Sequence, residues 1–137
     1  MTSKKASRRP PIHMIDSEAD AITDLAIAAA KRLPQVSAML LEEIGRATIR
    51  TAAQMPDDVV TMYATVDFID EGGEKAHSYQ LVYPGDADIS AGRISILTPV
   101  GAGLIGLREG QSILWPDRDG RERALKIVKV AREKAAN

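Results

Sequence analysis

Two kinds of residue in this chain could carry out chemistry at a site, namely its histidines and its paired acids. His13 and His77 lie far apart in the sequence, and neither has a partner at the spacing of a zinc site. The acidic pairs fall in predicted loops, where solvated turn residues are the usual interpretation; they are Asp57-Asp58, Asp70-Glu71, and Asp86 with Asp88. The chain has no cysteine, which excludes disulfides, thiolate metal ligands and a cysteine nucleophile. The sequence therefore predicts no catalytic residue, no metal site and no cofactor.

A glycine-rich segment, residues 101–106, follows a short alternating run at residues 94–96. A phosphate-binding loop would end in Gly-Lys-Ser/Thr, and a dinucleotide fold would need βαβ order, so this segment fits neither. Thr98-Pro99 instead predicts the start of a short helix, because Thr can cap and Pro at the first helical position needs no donor. Glycines lack Cβ atoms, so such a helix can lie very close to a sheet. The candidate site narrows to the junction Leu97-Thr98-Pro99, where strand becomes helix.

Two helices are predicted before this segment, over residues 14–53. Apolar residues at helical spacing predict one helix from Asp16 or Ser17, as a capped start, to about Arg32, and a second from about Val36 to Thr51. We expect a short antiparallel hairpin, a coiled coil about 24 Å long, with close helix packing at Gly45. Its tip is the segment Lys31, Arg32, Leu33, Pro34 and Gln35, where proline interrupts the helical pattern.

Residues 1–13 are basic, and Pro10-Pro11 makes a helix there unfavourable. The expected structure is a solvated, disordered tail; the alternative, a basic arm that contacts nucleic acid, lacks interleaved aromatic residues. The net charge of −1 does not indicate a polyanion-binding molecule. Neither a signal peptide nor a membrane-spanning run of roughly 18 apolar residues is present, so we expect a cytoplasmic protein with no membrane partner.

From residue 56 onward the apolar period changes from 3.6 to 2. Strands are predicted over residues 59–69, 75–83, 94–96, 112–115 and 124–132, with turns at 70–73 and 117–120. Phe68 and Trp115 are expected in the core, because a small sheet needs large side chains. The predicted fold class is α+β: a helical hairpin followed by an antiparallel β-meander of about five strands with one short helix.

Several motifs together closely resemble the C-terminal domain of the GreA/GreB transcript cleavage factors, over roughly residues 56–132. They are Ser78-Tyr79-Gln80-Leu81-Val82, Pro84-Gly85-Asp86-Ala87-Asp88, and the segment from Ile94 to Gly110. Residues 55–62 and Leu81-Val82-Tyr83-Pro84 look more specifically like the Rnk branch, the regulators of nucleoside diphosphate kinase, which has a much shorter hairpin. The resemblance implies an FKBP-like fold, in which a curved antiparallel sheet wraps one short helix.

The resemblance also implies a partner, because proteins of this family dock at the rim of the RNA polymerase secondary channel. Carried over to this chain, the polymerase-binding residues are Leu97, Thr98 and Pro99; Leu97 stands where GreB-type factors have an aspartate. Cleavage factors carry acidic residues at the hairpin tip that help to hold Mg²⁺, whereas the tip here has no carboxylate and the arm is shorter. The implied function is a non-enzymatic, Rnk-like transcription regulator without cleavage activity, acting as a monomer without sequence-specific DNA binding.

Two alternatives stay open at this stage. One is a GreA/GreB-type transcript cleavage and elongation factor. The other is an FKBP-like prolyl isomerase or chaperone, although isomerase pockets of that type are aromatic-lined and only 4% of this chain is aromatic. The sequence leaves open whether an effect on nucleoside diphosphate kinase is direct or acts through transcription.

Overall fold

The structure is a computed structural model that describes residues 10–70, 75–116 and 121–132. Most of the predicted basic tail lies outside the described residues. So do nearly all of the turn predicted at 70–73, the turn predicted at 117–120, and the side chain of Trp115. Within the described residues, no helix is both long enough and apolar enough to cross a bilayer.

The N-terminal part is a helical hairpin with a strand at each end. Its elements are strand β1 (His13–Ile15), helix α1 (Asp16–Ala28), helix α2 (Pro34–Arg46) and strand β2 (Thr48–Arg50). Each helix has 13 residues and is therefore about 20 Å long, which is shorter than the sequence predicted. The second helix ends early because β2, which contains the β-branched Thr48 and Ile49, pairs in parallel with β1.

The prediction of a disordered tail over residues 1–13 is wrong at residues 12 and 13, which are part of the fold. Ile12 is buried, and its carbonyl accepts a hydrogen bond from the Thr48 N–H at 2.9 Å. His13 begins β1, and its N–H donates to the Gly106 carbonyl at 3.1 Å. Helix α1 starts directly from this strand, so its N-cap is Ile15 and no side chain caps it. The predicted cap at Asp16 or Ser17 is therefore wrong.

The C-terminal part is a five-stranded sheet with the strand order β5-β4-β3-β7-β6. The strands are β3 (Thr65–Asp70), β4 (Lys75–Val82), β5 (Arg93–Ser95), β6 (Ser112–Pro116) and β7 (Glu122–Ala131). Neighbouring strands are antiparallel except β4 and β5, which run parallel with Gln80 opposite Arg93. The sheet is therefore mixed and not the predicted antiparallel meander. Residues 83–92, which contain two 3-10 turns, carry the chain back along β4 before β5 begins.

The strand predicted from residue 59 begins only at Thr65 because the backbone turns at Tyr63. Tyr63 has a φ of 68°, which interrupts an extended run, and its N–H donates to the Leu81 carbonyl at 2.6 Å. The residues before it pair elsewhere: the Val60 N–H donates to the Leu107 carbonyl at 2.8 Å. This loop leads into β3 and is hydrogen-bonded to the segment that follows the short helix α3 (Pro99–Leu104).

One hydrophobic core joins the two parts. Phe68 lies in it, as predicted, and is 4% exposed. Its members from the hairpin side are Ile12, Met14, Ala19, Ile22, Ala26, Val36 and Leu40, and from the sheet side they include Val60, Val66, Leu81, Ile96, Ala102, Leu104, Ile105, Leu107, Ile113, Leu125 and Ile127. The predicted division between a hairpin over residues 14–53 and a sheet domain over residues 56–132 is therefore not a break in side-chain packing, and the hairpin is held against the sheet domain.

Candidate functional site

The strand–helix junction is built by a local network of hydrogen bonds. The Thr98 hydroxyl donates to the Ser95 carbonyl at 2.8 Å and accepts from the Gly101 N–H at 3.1 Å, so it caps α3 as predicted. The Ser95 hydroxyl oxygen accepts from the Leu97 N–H at 2.9 Å. Pro99 occupies the first helical position and is buried, whereas Leu97 and Thr98 are half-buried. The junction therefore presents a fixed, partly exposed surface.

Two glycines set how closely this junction approaches its neighbours. A Cβ at Gly101 would overlap the Ser95 carbonyl oxygen and lie 3.1 Å from the Ile96 Cα. Gly106 ends the helix with a φ of 85°, and a Cβ there would lie 2.9 Å from the Ile12 Cβ. The structure therefore assigns these two glycines to close packing and a positive φ.

A mostly apolar cavity of about 440 Å³ opens beside the junction. We call it the junction cavity; its lining residues are Ala87, Asp88, Ile89, Arg93, Ile94, Ser95, Thr98, Pro99 and Val100. At its margin Asp88 and Arg93 form an ion pair at 3.8 Å, and the Ser90 hydroxyl lowers the pKa of Asp88. The sequence reasoning missed the Ile89 side of this cavity. The signal available in the sequence was a single large apolar residue in a loop of small and polar residues, and the structure shows that Ile89 is 63% exposed.

The hairpin tip is the turn between α1 and α2. The Leu33 N–H donates to the Ala29 carbonyl at 2.7 Å, and Pro34 then begins α2. The buried Ser37 hydroxyl donates to the Ala26 carbonyl at 2.7 Å, which ties the two helices together next to the tip. Of the five predicted tip residues, Leu33 is half-buried against the core and the other four are exposed.

The structure brings the tip and the junction together, which the sequence did not predict. A second cavity of about 370 Å³, here called the tip cavity, lies between them. Its lining residues are Arg32, Leu33, Pro34, Gln35, Val36, Leu97 and Pro99. Residues of both predicted groups therefore line the tip cavity, and Pro99 also lines the junction cavity.

A carboxylate at the base of the hairpin helps to fix this arrangement. Glu18 of α1 accepts a hydrogen bond from the Met62 N–H at 3.0 Å, across 44 residues of sequence. Burial raises the pKa of Glu18, although the Met62 hydrogen bond and Arg132 act in the opposite direction. Burial, together with the nearby Glu18 charge, also raises the pKa of Tyr83 to about 12. Tyr83 packs edge-on against Tyr63 at a ring-centroid distance of 5.8 Å.

Each of the two histidines contacts side chains of neighbouring residues in the fold. The Arg50 Nε donates to His13 Nδ1 at 3.3 Å, and burial lowers the pKa of His13, with the Arg50 and Arg108 charges acting in the same direction. His77 stacks on Phe68 and on Tyr79, at ring-centroid distances of 5.2 and 6.0 Å, and these two rings also contact each other at 6.2 Å. Across residues 10–70, 75–116 and 121–132, no group of three histidine or acidic side chains could hold a metal ion.

The comparison with known proteins matches the part of the chain that contains the junction. The family described as transcription elongation factor, GreA/GreB, C-terminal, matches residues 55–132. The chain belongs to the GreA/GreB family. The match includes the junction, the loop that carries Ile89 and all five strands of the mixed sheet.

Relatives in this family match most of the chain. A transcription elongation factor GreA from Azorhizobium caulinodans is 37% identical over 130 residues, which is 89% of this chain and 82% of the relative. A regulator of nucleoside diphosphate kinase from Escherichia coli is 34% identical over 122 residues, covering 89% of this chain and 90% of the relative. A solved GreA/GreB elongation factor from Nitrosomonas europaea superimposes with a TM-score of 0.68 at 35% identity, covering 89% of this chain and 98% of that one.

Proposed function

We propose that this chain is a non-enzymatic transcription regulator that binds RNA polymerase near its secondary channel and does not stimulate transcript cleavage. The observation that carries the proposal is the junction at Leu97, Thr98 and Pro99, which is capped, partly exposed and placed beside an apolar cavity. It lies in the domain that defines the family, and relatives in that family are named transcription elongation factors.

The junction has the physical properties of a docking site. Its backbone is fixed by the hydrogen bonds of Ser95 and Thr98, so little conformational entropy is lost when a partner binds. The junction cavity offers an apolar volume of about 440 Å³ with charged groups at its margin. Interfaces are anchored by apolar contacts in such desolvated pockets, with polar groups at the rim.

The chemistry of the tip supports binding without cleavage. Mg²⁺ is held by carboxylate and other oxygen ligands, and a cation is repelled by like charge. Lys31 and Arg32 at the tip are exposed cations, and no acidic residue lies between Ala29 and Gln35. Because the helices are about 20 Å long and packed on the sheet domain, the tip lies beside the docking site.

The similarity to a regulator of nucleoside diphosphate kinase supports an Rnk-like regulatory role for this chain. An activity assay with purified kinase and this protein, without polymerase, separates a direct effect from one through transcription. We propose further that the chain acts as a cytoplasmic monomer. We also propose that its helices form a short coiled coil on an FKBP-like sheet domain.

A matched pair of variants tests the docking site. Leu97→Arg places a charge at the junction, and Val128→Arg places the same charge on an exposed apolar residue of β7. We expect purified core RNA polymerase to retain the wild type and Val128→Arg, and to lose at least tenfold in affinity for Leu97→Arg. Val128→Arg should unfold close to the wild-type temperature, whereas Leu97→Arg should lose some stability because Leu97 is half-buried against the core, so binding is compared at a temperature where both variants are folded. Equal retention of both variants, or no retention of the wild type at micromolar concentration, would refute the proposal.

A stalled elongation complex tests the absence of cleavage. The nascent RNA should keep its length when this protein is added, because the tip supplies no carboxylate. Shortening of the RNA would instead support the cleavage-factor alternative, which the 37% identity to a GreA protein favours.

A further inference from the structure

The junction cavity and the tip cavity share Pro99 as a lining residue, and we call the surface that the two cavities form together the composite groove. Ile89 lines the junction cavity, and Arg32 lines the tip cavity. Leu33, Pro34 and Val36 form part of the wall at the Arg32 end, so this wall comes from the hairpin and not from the sheet domain. The groove is therefore a composite of two parts of the chain.

The hairpin wall is held in place and is not a free arm. Leu40 and Val36 of α2 are buried in the core shared with the sheet domain. The Ser37 hydroxyl ties α2 to the Ala26 carbonyl of α1, and Glu18 ties α1 to the Met62 backbone. A partner that binds beside Leu97 therefore meets a fixed surface contributed by the hairpin tip.

The charges along the groove are unequal. At the Ile89 end, Arg93 is paired with Asp88, so this end is close to neutral. At the other end, Arg32 is exposed and lies next to exposed Lys31. Neither of these two side chains forms an ion pair with any residue in the described ranges 10–70, 75–116 and 121–132. The groove is thus apolar along its length and positive at the hairpin tip.

We propose that this composite groove binds an acidic, amphipathic segment of the polymerase, with apolar side chains in the two cavities and a carboxylate facing Arg32. The inference deepens the proposed function and rests on it, because it specifies the chemistry of the polymerase surface that docks. Complementary charge steers association and sets orientation, whereas the apolar cavities provide most of the affinity. The hairpin tip then acts as a second recognition surface.

A charge reversal at the tip, with a matched control, tests the inference. Arg32→Glu changes the groove, and Lys126→Glu makes the same change at an exposed position of β7, opposite Ile69 and Ser112. Binding of fluorescently labelled protein to purified core RNA polymerase is measured at low and at physiological salt. We expect Arg32→Glu to weaken binding about tenfold and to reduce its salt dependence, with Lys126→Glu within about twofold of the wild type.

The outcomes separate this inference from the proposed function. If Arg32→Glu binds like the wild type while Leu97→Arg does not bind, the composite groove is wrong and the junction still docks. If Arg32→Glu and Lys126→Glu weaken binding equally, the attraction is a general charge effect and the groove is again wrong. If the wild type does not bind, both the proposed function and the inference are wrong. Matching thermal unfolding of the two charge variants controls for misfolding, since both side chains are exposed.

Discussion

The junction and the hairpin tip border the same groove but are stabilised in different ways. At the junction, the Thr98 hydroxyl caps α3 and Gly101 permits a close approach to the Ser95 carbonyl. At the hairpin, neither α1 nor α2 has a side-chain cap, and the predicted close helix packing at Gly45 is wrong, because its Cβ position has open space around it. Local interactions therefore define the junction, whereas burial of distant residues in a common core defines where the tip lies.

The largest expected effect concerns the core contact that positions the hairpin. Leu40→Ala removes a fully buried side chain and should lower the free energy of unfolding by about 3 kcal/mol, from lost burial plus the cavity left behind. Leu41→Ala, at a neighbouring residue that is 38% exposed, should cost less than about 1 kcal/mol. Urea unfolding followed by circular dichroism measures both values.

The same two variants show whether core packing holds the hairpin on the sheet domain. The Met62 N–H donates a hydrogen bond to Glu18. In Leu40→Ala, hydrogen exchange at this N–H should accelerate more than exchange at the Ala102 N–H in α3. Equal destabilisation by Leu40→Ala and Leu41→Ala would contradict the assignment of the hairpin to the shared core.

A smaller effect is expected where the junction is closely packed. Gly101→Ala forces a Cβ against the Ser95 carbonyl oxygen and should destabilise the protein by about 2–3 kcal/mol. Gly45→Ala makes the same substitution inside α2 in open space and should stabilise by about 0.5–1 kcal/mol through helix propensity. Thermal unfolding checks both changes. A neutral Gly101→Ala would show that the junction adjusts easily, against the account of a fixed docking surface.

The smallest effect concerns the pH dependence of the hairpin base. Burial raises the pKa of Glu18, so the folded protein holds this proton more tightly than the unfolded chain does. The stabilisation that this tighter proton binding contributes is present below the ordinary glutamate pKa and is lost as the pH rises through the raised pKa of Glu18. Glu18→Gln keeps an oxygen acceptor for the Met62 N–H and removes the charge.

Unfolding temperatures measured across that pH range test this variant. We expect Glu18→Gln to be more stable than the wild type at neutral pH, and the difference to disappear in acid, where Glu18 is protonated. His13, whose pKa is lowered, is present in both proteins and cancels in the comparison. A difference that grows as the pH falls would contradict the assignment.

The sequence predicted the features that local chemistry controls. Thr98 and Pro99 indicated the start of α3, and the alternation of apolar residues predicted β4, β6 and β7 closely. The start of β3 was wrong because Tyr63 adopts a positive φ, which its residue type does not indicate. The parallel pairing of β5 was missed because it depends on the path of residues 83–92.

The position of the hairpin tip could not be predicted either, because it also depends on contacts between distant parts of the chain. Helical periodicity identified the apolar faces of α1 and α2, but these faces could equally have been satisfied by each other or by another subunit. Only the fold shows that Val36 and Leu40 pack into the sheet-domain core and bring Arg32 beside Leu97. Strand β2 was missed as well, because residues 48–50 continue the apolar pattern of the preceding helix.

The measurement that tests the central claim most directly is a competition in a stalled elongation complex. A transcript cleavage factor of the same family is held at a fixed concentration, this protein is titrated in, and the length of the nascent RNA is followed. The account predicts that cleavage falls saturably as this protein occupies the secondary channel, and that the protein alone leaves the RNA intact. Cleavage that persists at saturating concentrations, or RNA shortening by this protein alone, would contradict it.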